Sequence, residues 1–202
     1  MLNRMKKIIF IISLCFITVE AAVAQSNTTI SYSVGIPFGD LSDFVSKPSW
    51  RGVTLDFRKM INPNIGVGFS TGWNVFYEAM DYGSYTRDNQ TLTGKQYRYS
   101  NHIPIYINPT YYLKPDATVN PFFSLGIGTI YTLRNTDMNL YTLEQEAWGF
   151  ALAPEVGIQY AMGEGTGAAF TVSGKLNHAF KAGDINSAQS FFTLNVGFSF
   201  IK

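Results

Sequence analysis

Cysteine is almost absent from this sequence. The single cysteine among the 202 residues, Cys15, lies in an apolar run near the N-terminus. If that run is removed on export, the mature chain has no disulfide, no thiolate nucleophile and no cysteine ligand for a metal. The two histidines, His102 and His178, do not make a metal site by themselves. We therefore expect no metal and no other cofactor.

Charged residues are also scarce. They make up 14% of the chain, whereas soluble domains average about 25%. The formal net charge of +1 gives no indication of a protein that binds nucleic acid. Aromatic residues, in contrast, reach 15%, and no apolar run after the N-terminal one approaches the length of a membrane-spanning helix. This composition is typical of strands with one apolar face.

The first 24 residues have the features of a signal peptide. Arg4, Lys6 and Lys7 precede an apolar run over residues 8–19, and residues 22–24 supply the small side chains that a signal peptidase reads. We predict cleavage after Ala24. The alternative, an N-terminal membrane anchor, is disfavoured because a spanning helix needs about 20 apolar residues. Residues 25–202 are then expected to form one domain.

The remaining chain alternates between apolar and small or polar residues. In the first such segment Ile30, Tyr32, Val34 and Ile36 are separated by Ser31, Ser33 and Gly35. Alternation of this kind predicts strands, because successive side chains of a strand point to opposite faces. Eight strands are predicted, near residues 30–36, 52–58, 65–75, 102–111, 123–129, 149–159, 170–177 and 192–200.

The predicted connections alternate between long and short. The long ones lie near residues 38–49, 78–96, 132–147 and 179–189, and the short ones near 60–64, 113–121 and 161–166. Strands near ten residues are long enough to cross a bilayer at a tilt. Long external loops and short periplasmic turns are the pattern of outer-membrane barrels. With eight strands both termini are expected at the periplasmic end.

The room available inside an eight-stranded barrel determines which way the apolar face points. Each predicted strand carries about four bulky apolar residues on one face and mainly Gly, Ser, Thr or Asn on the other. An eight-stranded barrel has an interior just wide enough to be filled by side chains, so it could scarcely hold all the bulky ones. We therefore expect the apolar face to point outward into lipid, with the small and polar residues inside.

With these strands in place, the chain resembles the small outer-membrane β-barrels of the OmpA/OmpX type. The resemblance covers the mature chain and rests on its strand pattern, above all on the last strand, which carries Phe198 and Phe200. It implies an all-β, eight-stranded antiparallel up-and-down barrel in the outer membrane of a Gram-negative cell. It also implies that Phe198 and Phe200 form the signal read by the barrel-assembly machinery. Ile201 and Lys202 follow that signal, whereas many members end on the aromatic residue.

Five polar residues are expected inside the barrel: Asp56, Arg58, Glu155, Lys175 and His102. Because an isolated buried charge is expensive, these groups should form one network. We interpret the network as a plug that fills the lumen. The alternative is a polar path for a small solute.

Aromatic residues are expected to form two girdles at the membrane interfaces. The girdle near the long loops would contain Trp50, Trp73, Tyr77, Tyr97, Tyr99, Tyr131 and Trp148, and the other Tyr111, Phe122 and Tyr160. The long second loop combines aromatics with charges of both signs, so it either binds an extracellular ligand or is simply solvated.

Several functions remain compatible with this sequence. The leading hypothesis is a non-enzymatic structural or surface-interaction protein whose partners include outer-membrane lipid. A narrow channel or conduit for small solutes or small apolar molecules is the first alternative. A lipid-modifying enzyme would need an arrangement such as Ser100, His102 and an acid at the rim, and no spacing in the chain matches one. The last alternative is a soluble exported barrel that holds a ligand inside.

Overall fold

The computed structural model describes residues 25–87, 90–163 and 165–202. The expected signal peptide lies outside these residues. Within them, no helix is long and apolar enough to cross a membrane. The described residues form eight strands and one short helix: β1 Ser26–Phe38, α1 Asp40–Phe44, β2 Gly52–Asn62, β3 Ile65–Arg87, β4 Gln90–Tyr112, β5 Val119–Met138, β6 Tyr141–Ala161, β7 Ala168–Ala179 and β8 Gln189–Ile201.

The strands form a closed antiparallel barrel in which each strand pairs with its sequence neighbours. The first and last strands close the ring, in a register that runs from Asn27 opposite Ile201 to Phe38 opposite Ser190. The backbone of Ser26 and Lys202 continues this ladder, with two N–H···O bonds of 2.8 Å. Closure leaves no strand edge along the wall, as a hydrocarbon environment requires.

The apolar face points outward, as the sequence predicts. Side chains on this face keep about half of their surface exposed, for example Ile30 at 49%, Phe123 at 49% and Phe198 at 52%. On the other face Thr29, Ser31 and similar small polar residues are buried. The alternation of one strand therefore separates an apolar outer band from a polar interior.

Short turns join the strands at one end, which we call the turn end. Between β2 and β3, the side-chain Oδ1 of Asn62 accepts hydrogen bonds from the backbone N–H of Asn64 and Ile65, at 3.0 and 2.8 Å. Such a bond from an asparagine side chain to the following backbone is what allows a tight reversal here. Both described termini lie at this end.

The opposite end, the loop end, differs from the sequence prediction in two of its four connections. The segments expected to be loops near residues 78–96 and 132–147 are mostly strand, because β3 runs on to Arg87, β4 begins at Gln90, β5 runs to Met138 and β6 begins at Tyr141. Their tyrosines and threonines favour extended backbone. The first and fourth connections remain loops: loop 1 spans residues 39–51 and loop 4 spans residues 180–188.

Candidate functional site

Four charged side chains meet in the middle of the lumen, and we call them the charged cluster: Asp56, Arg58, Glu155 and Lys175. Asp56 and Arg58 share the inner face of β2, while Glu155 on β6 stands opposite Lys175 on β7. Each is at most 5% exposed. The sequence pattern predicted their lumenal position, and the barrel brings the two pairs together.

Each cation of the charged cluster contacts both carboxylates. The Arg58 guanidinium lies 3.3 Å from Asp56 and 3.2 Å from Glu155. The Lys175 ammonium lies 3.6 Å from Asp56 and 3.3 Å from Glu155. Two positive and two negative charges therefore balance one another, which reduces the cost of removing them from water.

Neutral side chains complete the carboxylate contacts. The Ser173 hydroxyl donates to Glu155 at 2.6 Å. The Asn108 amide lies 3.5 Å from Asp56 and donates to Ser70 at 2.7 Å. These partners come from β7, β4 and β3, so the charged cluster ties strands on several sides of the barrel to one another.

Phe122 does not belong to the aromatic girdle at the turn end, contrary to the sequence prediction. It points into the lumen, is 2% exposed, and lies beneath the Arg58 guanidinium, which is 5.0 Å from the ring centroid. Phe123 follows it and points outward, because neighbouring side chains of a strand take opposite faces. Gly157 leaves the space for the ring, since a Cβ there would fall 2.6 Å from Phe122 Cζ.

Five of the other predicted girdle residues lie on the outside of the barrel with at least half of their surface exposed. Trp50, Trp73 and Trp148 are more than half exposed near the loop end, and Tyr111 and Tyr160 are half exposed near the turn end.

His102 does not join the charged cluster, so the prediction of one network of all five residues is wrong, although His102 also lies in the lumen. Its ring nitrogens contact the hydroxyls of Ser100 and Thr132, at 2.9 and 3.1 Å. It stands six residues from Asn108 along β4, roughly 20 Å toward the loop end. The Ser100–His102 contact superficially resembles half of a catalytic triad. However, both residues are fully buried and the second ring nitrogen faces threonine rather than a carboxylate.

An apolar cluster fills the lumen between the charged cluster and the loop end. We call it the mouth cluster; it consists of Leu41, Val45, Phe76, Tyr106, Ile130, Ala151, Ala153, Ala179 and Phe191. The Phe76 and Phe191 rings meet edge to face at 5.4 Å, and His102 packs against both. Gly35 accommodates Phe76, because a Cβ at this position would come within 2.8 Å of the ring.

Loop 1 supplies the outermost part of the mouth cluster. Leu41 and Val45 lie one helical turn apart in and just after α1, so they share a face. Both are 0% exposed. The one-turn helix is closed by a bond from Val45 N to Leu41 O of 2.9 Å. Loop 1 therefore plugs the barrel mouth with two apolar side chains.

Polar contacts hold this plug in place from three directions. Glu78 on β3 accepts hydrogen bonds from the backbone N–H and hydroxyl of Ser46, at 2.6 and 2.9 Å. Arg98 on β4 donates to the last carbonyls of α1, those of Asp43 and Phe44, at 3.4 and 3.1 Å. Asp40 accepts from the backbone N–H of Ala188 in loop 4, at 2.9 Å.

A second arginine, Arg134 on β5, lies at the same level. Its guanidinium carbon is 4.5 Å from the Phe44 ring centroid, and that of Arg98 is 5.4 Å from the same ring. Arg134 donates to Gln189 at 2.6 Å and to Ser187 at 3.4 Å. Its Nε is buried and has no hydrogen-bond partner among the described residues.

The aromatic rings inside the lumen, which include Phe76 and Phe191 of the mouth cluster, were not predicted, but the sequence carries a signal for them. Aromatic residues occur as consecutive pairs at positions 76–77, 111–112, 122–123 and 191–192. Because neighbours in a strand face opposite ways, one ring of each pair must enter the lumen. The structure places Phe76, Tyr112, Phe122 and Phe191 inside, each at most 2% exposed.

Comparison with known proteins identifies the architecture. The family model "Outer membrane protein beta-barrel domain" matches residues 9–200. The outer membrane protein OprG of Pseudomonas aeruginosa is similar in structure, with a TM-score of 0.56 and 16% identity, over 89% of this chain and 96% of that one. No curated protein sequence matches the chain.

Two further solved structures share the fold. Ail, the attachment invasion locus protein of Yersinia pestis, in complex with the heparin analogue sucrose octasulfate, has a TM-score of 0.51 and 15% identity, covering 88% of this chain and 99% of its own. Neisserial surface protein A has a TM-score of 0.50 and 10% identity, covering 89% and 96%. At these identities the likeness concerns the fold alone.

Proposed function

Since this chain belongs to the outer-membrane β-barrel family, we propose that it is a closed, non-enzymatic scaffold that presents a recognition surface outside the cell. The observation that carries this proposal is the filling of the lumen at two levels. The charged cluster occupies the middle, and the mouth cluster with loop 1 occupies the loop end. An eight-stranded barrel leaves room for side chains and little more.

The proposed recognition surface is the pair of hairpins at the loop end. The β3–β4 and β5–β6 strands continue beyond the residues that pair with β2 and β7. Their exposed side chains include Tyr82, Tyr97, Tyr141 and the fully exposed Leu140. External segments on a rigid scaffold carry the recognition of such barrels. We infer that lipid acyl chains cover the outer band, and that Phe198 and Phe200, exposed on that band, are read during barrel assembly.

The first test of the proposal is conductance. The folded protein in a planar lipid bilayer is expected to give no single-channel steps in KCl, and liposomes that contain it should not swell in arabinose. A shift in gel mobility between unheated and boiled samples establishes that the barrel is folded in each preparation. Reproducible conductance steps or arabinose uptake with the folded protein would contradict the proposal of a closed scaffold and would favour the channel alternative.

The second test concerns which end faces outward. An epitope inserted after Leu140, in the β5–β6 turn, is expected to bind antibody on intact cells. The same epitope inserted after Asp116, in the β4–β5 turn, should bind antibody only after permeabilisation. The two sites are matched because both lie in turns between long strands. The reverse pattern would place the hairpins in the periplasm and contradict the proposed surface role.

A further inference from the structure

Loop 1 has the chemistry of a bound ligand rather than of an ordinary loop. Two of its apolar side chains, Leu41 and Val45, are completely buried in the barrel mouth. One of its two carboxylates, Asp40, turns toward loop 4, where it accepts a hydrogen bond from the backbone N–H of Ala188 at 2.9 Å. Loop 1 thus presents two apolar side chains and the Asp40 carboxylate to this side of the barrel mouth.

The wall around loop 1 complements both parts. Phe76, Ile130 and Phe191 form an apolar floor, and each is 0% exposed. Arg98 and Arg134 stand at the edge of this floor, and their guanidinium carbons lie 5.4 and 4.5 Å from the centroid of the same ring, that of Phe44. Neither guanidinium forms an ion pair within the described part of the chain, and the buried Nε of Arg134 has no partner there. Two arginines around an apolar seat are suited to a carboxylate on an apolar chain.

We propose that the seat of loop 1 is a binding site for a small amphipathic anion, a carboxylate on a short apolar chain. The chain would take the place of Leu41 and Val45, and the carboxylate would lie between Arg98 and Arg134. A chain of roughly six to eight carbons has the combined size of the two side chains that it replaces. The charged cluster below remains in place, so the ligand is held at the mouth and does not pass through.

Competition with loop 1 gives this site a distinctive signature. A ligand that binds only when the plug has left is weakened by the small fraction of open molecules, and loosening the plug removes that penalty. Leu41→Ala combined with Val45→Ala should therefore bind the anion more tightly than the wild type does. Truncating a residue of an ordinary ligand pocket has the opposite effect.

The experiment uses octanoate as the probe and octanamide as its uncharged equivalent. The protein is placed in lipid nanodiscs with 13C-labelled isoleucine methyl groups. Ile130 reports on the seat, whereas Ile107, 62% exposed on the outer band, reports on octanoate dissolved in lipid. If octanoate binds at the seat, we expect the chemical shift of the Ile130 methyl group to change until it saturates, while that of Ile107 does not change.

Four variants decide the outcome. The L41A/V45A variant is expected to bind octanoate at least about fivefold more tightly than wild type. Adding Arg134→Gln to it should weaken binding at least about tenfold, whereas adding Arg51→Gln, which removes an equal charge beside Tyr77 on the outer rim, should change little. Ser46→Ala removes only the hydroxyl contact with Glu78, so it should strengthen binding with the seat intact, even if L41A/V45A does not fold.

The proposal is overturned if the Ile130 signal stays still in the loosened variants. It is equally overturned if octanamide moves that signal as strongly as octanoate does, or if Arg134→Gln leaves the affinity unchanged. These results are separate from conductance, because a barrel that binds octanoate at its mouth can still be closed to ions.

Discussion

Glu155→Gln is expected to lower the free energy of unfolding by about 3–5 kcal/mol, because it leaves a buried cation without its partner. In the native barrel Glu155 lies 3.2 Å from Arg58 and 3.3 Å from Lys175. In the variant Asp56 alone faces both cations, and water cannot take over because all of these side chains are buried. Urea-induced unfolding in lipid vesicles, followed by tryptophan fluorescence and gel mobility, measures the change.

Two comparisons give that measurement its meaning. Glu144→Gln makes the same substitution at an exposed position of β6 and should change stability by no more than about 0.5 kcal/mol. Combining Glu155→Gln with Lys175→Met leaves one anion, Asp56, paired with one cation, Arg58. The double variant should therefore recover at least about half of the lost stability. A Glu155→Gln protein as stable as wild type would show that the charged cluster contributes nothing to the fold.

Gly197→Ala is expected to impair barrel closure, at a cost of about 3 kcal/mol. Gly197 lies on β8, opposite Ser31 of β1, where the two ends of the sheet meet. A Cβ at Gly197 would overlap the carbonyl oxygen of Ile30 and lie 2.6 Å from the Cα of Ser31. Both contacts are with backbone, so no side-chain rotation can relieve them, and β1 and β8 must move apart.

The fraction of refolded protein that shows the heat-dependent gel shift measures this effect. The matched control is Gly83→Ala on β3, where a new methyl group would meet only the Tyr85 ring at 3.7 Å, an ordinary contact. The control should fold as the wild type does. If Gly197→Ala refolds to the same extent as Gly83→Ala, close backbone approach at the β1–β8 seam does not limit closure.

Much of the fold follows from alternation along the sequence. Period-two patterning fixes which residues share a face, and a narrow barrel fixes which face is outside. The same reasoning brings Glu155 and Lys175 together, because they lie on the inner faces of consecutive strands. That Asp56 and Arg58 complete the charged cluster depends on the register across the whole barrel, which alternation does not give.

The features that the sequence did not predict arise from tertiary packing. Loop 1 contains one helical turn, too short to show a periodic pattern, so the burial of Leu41 and Val45 has no local signal. The position of Phe122 near the end of the strand predicts a girdle residue. However, Phe122 and Phe123 take opposite faces of the strand, and Phe122 is the one that points into the lumen. The strand extensions at the loop end do not show the regular alternation of apolar and polar residues, so the sequence predicts loops there.

The unequal height of the wall has a consequence for motion. β3 pairs with β2 only as far as Asn74 but continues to Arg87, roughly 40 Å farther along the strand. Its partner β4 begins at Gln90, whereas the pairing of β4 with β5 begins only at Gln96. One continuous strand therefore leaves a closed wall, enters an open sheet and ends in a two-stranded ladder. Backbone amides of β3 should exchange with solvent deuterium slowest in the closed wall, faster in the open sheet and fastest in the two-stranded ladder. The free energy of local opening should therefore fall along this single strand.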